Sequence, residues 1–400
     1  MKKTAHGIYK NLLGDTIYNS QAAILVFFAG IAFNLSAAPA IINEEFGSST
    51  FWAFLLYSIV DVLLTTVIFY FARKNGDALL KTTNSAAYKA VCFVAMLLLT
   101  LKGIFHFCYA SSYLTHELFE GMEPSLIYLL FLLPVVYLGA KGITALSRTA
   151  EVFFPIIFIV LVLNIVFLQT KTDFARVLPV FSKEPRVLFG LFPRYGLWLG
   201  DMLPFLFIRI KDKRLPYLTI GVTGSWLFIN LVVLLGVAIY GDALKTVSDL
   251  LIRIAGFNAL SKDIGRTEWS NLICVLTTSI LAMSFTYFGA IAACERVFDT
   301  GVPAKLAFPA GILFAVLLVP SAQTVTAFAT GKFGYVMFCA TVLIPLVALC
   351  LLVATRNKFP SISALLNEEY YVIKSERKTN SDEVGTLVGF KQEQTPHQVV

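Results

Sequence analysis

Charge is scarce in this chain. Only 14% of its 400 residues are Asp, Glu, Lys or Arg, while 57% are hydrophobic and the mean hydropathy is +0.75. A water-soluble domain of this length cannot hide so much apolar surface, which excludes a soluble fold. Metal-binding histidine motifs, phosphate loops and nucleophile elbows are all missing. The six cysteines (Cys92, Cys108, Cys274, Cys294, Cys339 and Cys350) lie inside apolar runs without disulfide or metal spacing, and read as small lipid- or helix-facing residues. Asp61 and Asp201 sit in apolar surroundings, but lack the Tyr-Asp and Gly-x-Gly-Asp contexts an intramembrane aspartyl protease needs. The reading is therefore not an enzyme, with no cofactor and no metal centre. The net charge of +7 lies mostly between apolar runs, where bases orient helices rather than bind nucleic acid.

What is present is a series of ten apolar runs, near residues 21–42, 51–72, 88–113, 124–139, 150–168, 188–208, 216–240, 269–294, 304–321 and 333–355. Each is long enough, or nearly so, for the roughly 20 residues that cross a bilayer as a helix. The fourth is short and meets Pro134, with more apolar sequence beyond. With the N-terminus in the cytoplasm, the cytoplasmic segments hold 21 basic residues and the outer segments ten when Arg194 at the start of the sixth run is counted with them, most of these in the long loops 169–187 and 241–268. The short outer segments carry Glu44, Glu45, Glu117, Glu120 and Glu123. The positive-inside rule then places both termini in the cytoplasm. A rival reading takes Lys2, Lys3, the run from Ala22 and Ala38-Pro39-Ala40 as a signal peptide with its cleavage site. The long polar stretch before Ala22 and the proline in the cleavage motif argue against it.

Two of the runs are interrupted alike. The first reads Ala29-Gly30-Ile31-Ala32-Phe33-Asn34-Leu35-Ser36-Ala37-Ala38-Pro39, and the sixth Gly196-Leu197-Trp198-Leu199-Gly200-Asp201-Met202-Leu203-Pro204. Proline removes an amide donor and clashes with the preceding turn. In lipid the freed backbone groups survive only facing protein or a water-filled cavity. Matched breaks in the two halves of a membrane chain point to a transporter binding site. Ten spans divide as five and five, and because five is odd the second half enters from the opposite side. The expected fold is an all-α integral membrane protein, a 5+5 inverted repeat with helices 1 and 6 discontinuous. Its segments are 1–19 (cytoplasmic), 20–168 (first repeat), 169–187 (external loop), 188–356 (second repeat) and 357–400 (polar cytoplasmic tail). The long third and eighth runs suit tilted helices around a central site. Within the loop before span eight, Thr246–Ala255 has helical spacing with a possible serine cap.

The order of motifs between residues 138 and 300 carries a family resemblance. Tyr137-Leu138-Gly139-Ala140-Lys141-Gly142-Ile143 leads to Ser147-Arg148-Thr149-Ala150-Glu151-Val152-Phe153-Phe154-Pro155, then Thr172-Asp173-Phe174-Ala175-Arg176-Val177-Leu178-Pro179-Val180. Gly200-Asp201…Pro204-Phe205 and Gly265-Arg266-Thr267-Glu268 follow. This order resembles the membrane B subunits of spore germinant receptors (the GerAB type), within the amino acid, polyamine and organocation transporter superfamily. The resemblance implies a leucine-transporter-like fold, recognition of a small germinant, often an amino acid, and A and C subunits as partners. It also implies the spore inner membrane as the location.

Several polar groups are candidates for the site. An aspartate at mid-membrane depth costs about 2.5–3.5 kcal/mol on insertion scales, so Asp201 either receives an amino group or proton, or caps the second half of its broken helix. Gly30, Asn34 and Ser36, with Gly200, line the breaks, where amides at a half-helix N-terminus attract a carboxylate; a merely kinked helix is the alternative. Lys102 and His106 share a face of span three, and Lys102 has Asp61 or Asp201 as its partner, in a structural ion pair or a coupling role. Thr277 and Thr278 on span eight are weak sodium candidates, since such hydroxyls usually bond their own backbone. Three functions remain open: a germinant-receptor B subunit, a stand-alone proton-coupled amino-acid permease, and an assembly subunit with a vestigial pocket.

Overall fold

Runs of apolar residues with neither charge nor a turn signal become long helices, and the breaks fall where glycine and proline crowd together. The computed structural model describes residues 16–35, 38–73, 86–114, 124–166, 168, 172–178, 185–199, 201–211, 217–247, 249–256, 268–298, 300–318, 327–328 and 330–356. Its α-helices are α1 (Asn19–Leu35), α2 (Ala38–Phe46), α3 (Thr50–Arg73), α4 (Ala86–Tyr113), α5 (Pro124–Lys141), α6 (Ile143–Val166), α7 (Pro185–Leu191), α8 (Tyr217–Tyr240), α9 (Leu250–Ala255), α10 (Glu268–Phe298), α11 (Val302–Leu318) and α12 (Lys332–Arg356). Among the described residues six stretches are long and apolar enough to cross a membrane: Ala38–Tyr70, Ala86–Ser111, Ile143–Val166, Tyr217–Thr246, Ser270–Phe298 and Lys332–Leu351. Three shorter apolar helices are Asn19–Ala32, Leu126–Lys141 and Val302–Ala315. Residues 1–350 form one compact unit and residues 351–400 a second.

The centre of the first unit is built by four helices. The longest, α4 with 28 residues and α10 with 31, pack along each other, and α1 lies against both α8 and α10. Close approach depends on small residues. A Cβ on Gly221 of α8 would fall 2.5 Å from the Ala23 carbonyl of α1, and one on Gly103 of α4 would fall 2.3 Å from the Phe308 ring of α11. By contrast α5, α6, α11 and α12 leave large apolar side chains exposed, including Leu133, Ile156, Phe314 and Val336, as a lipid-facing surface does.

Three features differ from the sequence expectation. First, α5 runs through Pro134 to Lys141 and stops at Gly142, whose φ of +92° is the left-handed region that favours glycine. Tyr137–Lys141 is thus the last turn of α5, and Gly142 the corner between α5 and α6. Second, the chain is not purely helical. Strand β1 (Thr16–Tyr18) pairs in parallel with β2 (Arg209–Lys211), with Ile17 opposite Ile210 and both buried. Third, the helix expected over Thr246–Ala255 is split: a 3-10 segment covers Gly241–Thr246, and α9 begins at Leu250 with Asp249 at its N-cap position.

The loops after α6 and α8 are anchored by specific bonds. Asp173 caps the 3-10 turn Phe174–Val177 by accepting from the Ala175 amide, and its own amide donates to the Ala238 carbonyl of α8 (3.1 Å). Asn271 of α10 accepts from Asn164 of α6 and donates to the Leu251 carbonyl of α9 (3.0 Å), joining two long helices to a loop helix through buried amides.

A buried ion pair in the broken sixth span

The sixth span does not contain the two α-helical halves the sequence suggested. After the seven residues of α7 the chain continues as a 3-10 segment, Phe192–Trp198, kinked at Tyr195 (φ −98°, ψ 23°). Leu199 is fully extended (φ −100°, ψ 160°), Asp201 and Met202 form a turn, and a second 3-10 segment spans Leu203–Phe207. Pro193, Gly196, Gly200 and Pro204 recur every three or four residues, too often for an α-helix to propagate. The span is nevertheless gripped by its neighbours. A Cβ on Gly196 would fall 2.4 Å from the Phe338 Cα of α12, and Phe205 meets Phe285 of α10 with ring centroids 4.9 Å apart.

Extended backbone at Leu199 frees its carbonyl from any helical partner, and a charged side chain from another helix takes it. The Lys102 Nζ of α4 donates to the Leu199 carbonyl at 2.7 Å and lies 2.7 Å from Asp201 Oδ1. Both side chains are buried, at 4% and 7% exposure. The other carboxylate oxygen, Asp201 Oδ2, is buried with no hydrogen-bond partner among the described residues. Of the two partners open to Lys102 in sequence, the fold selects Asp201. Nor does Asp201 act as a cap: Met202 holds the N-cap position of the following segment, with no side-chain capping bond. His106 is buried one turn along α4 from Lys102.

Asp61 is drawn elsewhere. It sits in α3 and accepts from the Trp226 indole of α8 at 3.0 Å, so its carboxylate serves the α3–α8 contact. In the first span, α1 and α2 flank residues 36–37; Ser36, like Gly200, lies outside the described residues. Asn34 is buried in the last turn of α1 and donates to the Gly30 carbonyl at 3.0 Å, while its Oδ1 is buried without a partner among the described residues. Gly30 itself lets α1 close on α8, since a Cβ there would fall 2.9 Å from Ser225 Oγ. Thr278 donates to the Cys274 and Val275 carbonyls of its own helix, and Thr277 is half-buried beside it. No group of three or more His, Cys, Asp or Glu that could hold a metal occurs among the described residues.

Contacts that sequence reasoning missed hold both ends of span six. At one end Arg194 pairs with Glu45 (3.3 Å) and donates to the Thr330 carbonyl (2.9 Å), while Tyr57 stacks on Phe192 at 4.1 Å and donates to its carbonyl. At the other, Arg296 of α10 donates to the Phe207 carbonyl (2.6 Å) and lies over the Phe207 ring. Nearby in sequence to β1, Gln21 donates to Glu151 (2.9 Å), the glutamate of the Ser147–Pro155 motif. These are pairings between distant segments, for which local spacing carries no signal.

Apolar spanning helices packed around a non-helical span with a buried charged pair define a multi-pass membrane protein of the transporter class. Residues 16–326 match the model of the family described as spore germination protein, a permease family, and the chain belongs to it. Mhp1, a nucleobase-cation-symport-1 family transporter solved closed around bromovinylhydantoin, is similar at a TM-score of 0.57 and 10% identity, over 90% of this chain and 97% of that one. MhsT solved with L-phenylalanine gives 0.49 at 13% identity, over 83% and 98%. The Eremococcus coleocola manganese transporter, solved with an aromatic bis-isothiourea compound, gives 0.46 at 13% identity, over 97% and 96%. The Mhp1 likeness is one of fold, and that fold is the inverted-repeat, leucine-transporter-like one. No curated protein matches the chain.

Proposed function

We propose that the chain is the permease-like B subunit of a spore germinant receptor and recognises a small polar nutrient, an amino acid, at the break of span six. The observation that carries this is the Asp201 carboxylate. One oxygen is held by Lys102, and the other is buried with no donor. A buried acceptor without a partner costs free energy until a donor arrives. An ammonium group supplies such a donor with charge to match. Asn34 Oδ1, a second buried acceptor without a partner, stands at the end of α1 beside the break expected in span one. In this reading the nutrient's carboxylate meets the amides near Gly30–Ser36, and Asp201 takes its cationic end. The protein sits in the spore inner membrane with both termini cytoplasmic, its repeats run 20–168 and 188–356, and A and C subunits assemble with it.

The stand-alone proton-coupled permease is favoured by one observation, the buried Lys102–Asp201 pair with His106 one turn away, since intramembrane ionisable groups mark proton paths. The test is binding and uptake of a panel of amino acids by the purified chain in proteoliposomes. Saturable binding without accumulation supports the receptor subunit, and accumulation driven by a pH gradient supports the permease. Absence of binding by every amino acid would overturn both.

A further inference from the structure

A broken membrane helix exposes oxygens that need a cation. Unwound carbonyls and nearby acidic groups are the ligands with which membrane transporters hold a free sodium ion or a proton. Here the two oxygens flanking position 200 are the Leu199 carbonyl, one residue before it, and Asp201 Oδ1, one residue after. Both lie 2.7 Å from the same nitrogen, Lys102 Nζ. That distance is the short, charge-assisted range for an ammonium donor. The lysine comes from α4, a separate helix, and its side chain is almost fully buried. A plain ion pair would need the carboxylate alone. Donation to the carbonyl as well staples the two sides of the break together.

We infer that Lys102 is a tethered resident cation: its ammonium occupies the oxygen site that the span-six break creates, and the protein needs no free monovalent ion there. The inference deepens the proposed nutrient site, resting on the same break, but its test uses no nutrient, so either can fail alone. Because the cation is covalently attached, it cannot exchange with the medium. The break therefore keeps its shape at any sodium concentration. Lys102 acts through Asp201 and Leu199, as a positioning residue.

The test is thermal melting of the full-length chain in detergent. The wild-type protein should melt at the same temperature in sodium, potassium and choline chloride; a rise of several degrees specific to sodium or potassium would overturn the inference. Lys102→Ala should lower Tm by about 5 °C or more, because it leaves a buried carboxylate uncompensated. Methylammonium, which restores an ammonium with N–H donors, should recover at least half of that loss, and tetramethylammonium, which has none, should not. An unaffected Tm in Lys102→Ala would overturn the inference, as would equal effects of the two ions or no effect of either. A Lys102→Ala protein recovered only from cells grown with methylammonium supports it. If neither condition yields that variant, the wild-type comparison decides. Lys102→Met/Asp201→Asn removes both charges and should fold without responding to methylammonium; a response would place its site elsewhere and overturn the assignment.

Discussion

Asp201→Asn should weaken nutrient binding and fold stability for two separable reasons. A charge-assisted hydrogen bond contributes about 1.5–3 kcal/mol and a neutral one about 0.5–1.5. Losing the charge at Oδ2 therefore lowers the affinity for an ammonium about tenfold, at 1.4 kcal/mol per decade. The second cost is internal, because Lys102 loses the carboxylate 2.7 Å away. Removing one member of a buried pair typically costs about 3–5 kcal/mol. Asparagine keeps a neutral acceptor for Lys102 and should suffer part of that, while Asp201→Ala suffers all of it. Removing both charges is often close to neutral for stability. Lys102→Met/Asp201→Asn should then recover Tm but not affinity. The assays are a nutrient dose–response in proteoliposomes and melting in detergent, at matched protein level. Wild-type affinity in Asp201→Asn would refute the ligand role. A double variant no more stable than Asp201→Asn would refute the pairing energetics.

Other expectations follow from packing and topology. Gly196→Ala drives a methyl to within 2.5 Å of Phe338 backbone atoms, so it should cost at least about 1–3 kcal/mol and resist rescue by Phe338→Ala. Gly103→Ala meets only the Phe308 ring, so Phe308→Leu should restore its Tm. Asn271→Leu removes the buried side-chain donor to the Leu251 carbonyl and the acceptor for one Asn164 N–H, leaving Asn164 its bond to the Val160 carbonyl, and should lower stability by about 1–3 kcal/mol, with Asn164→Leu/Asn271→Leu milder than the single change. In a background without native cysteines, Glu45→Cys should react with an impermeant thiol reagent from outside and Lys305→Cys should not; the reverse pattern would invert the proposed orientation.

The sequence made the sixth-span break legible because glycine and proline act locally. Their crowding from Pro193 to Pro204 stops a helix whatever surrounds it. Long apolar runs likewise announced α4 and α10. The partner of Lys102 was not legible. Asp61 and Asp201 are equally acidic and equally embedded, and what separates them is the Trp226 indole of α8, which takes Asp61. The capping role weighed for Asp201 is not seen because the turn puts Met202, one residue further on, at the N-cap position of Leu203–Phe207. Three-residue strands such as Thr16–Tyr18 are too short for any periodicity to register. That Gly30 also makes room for Ser225 was not legible, since that fact is held by the facing helix alone.

The small ladder between β1 and β2 has a directional consequence. β1 leads into α1, and β2 leaves the last segment of span six. In the inverted-repeat fold, a strand about to enter the bilayer and a strand that has just left it travel in opposite senses along the membrane normal. Parallel pairing, with Thr16 beside Arg209 and Tyr18 beside Lys211, is possible only if the ribbon turns off that normal. The ribbon is then a crossbar between the two segments, not a hairpin. A crossbar makes the roots of spans one and six a single mechanical part.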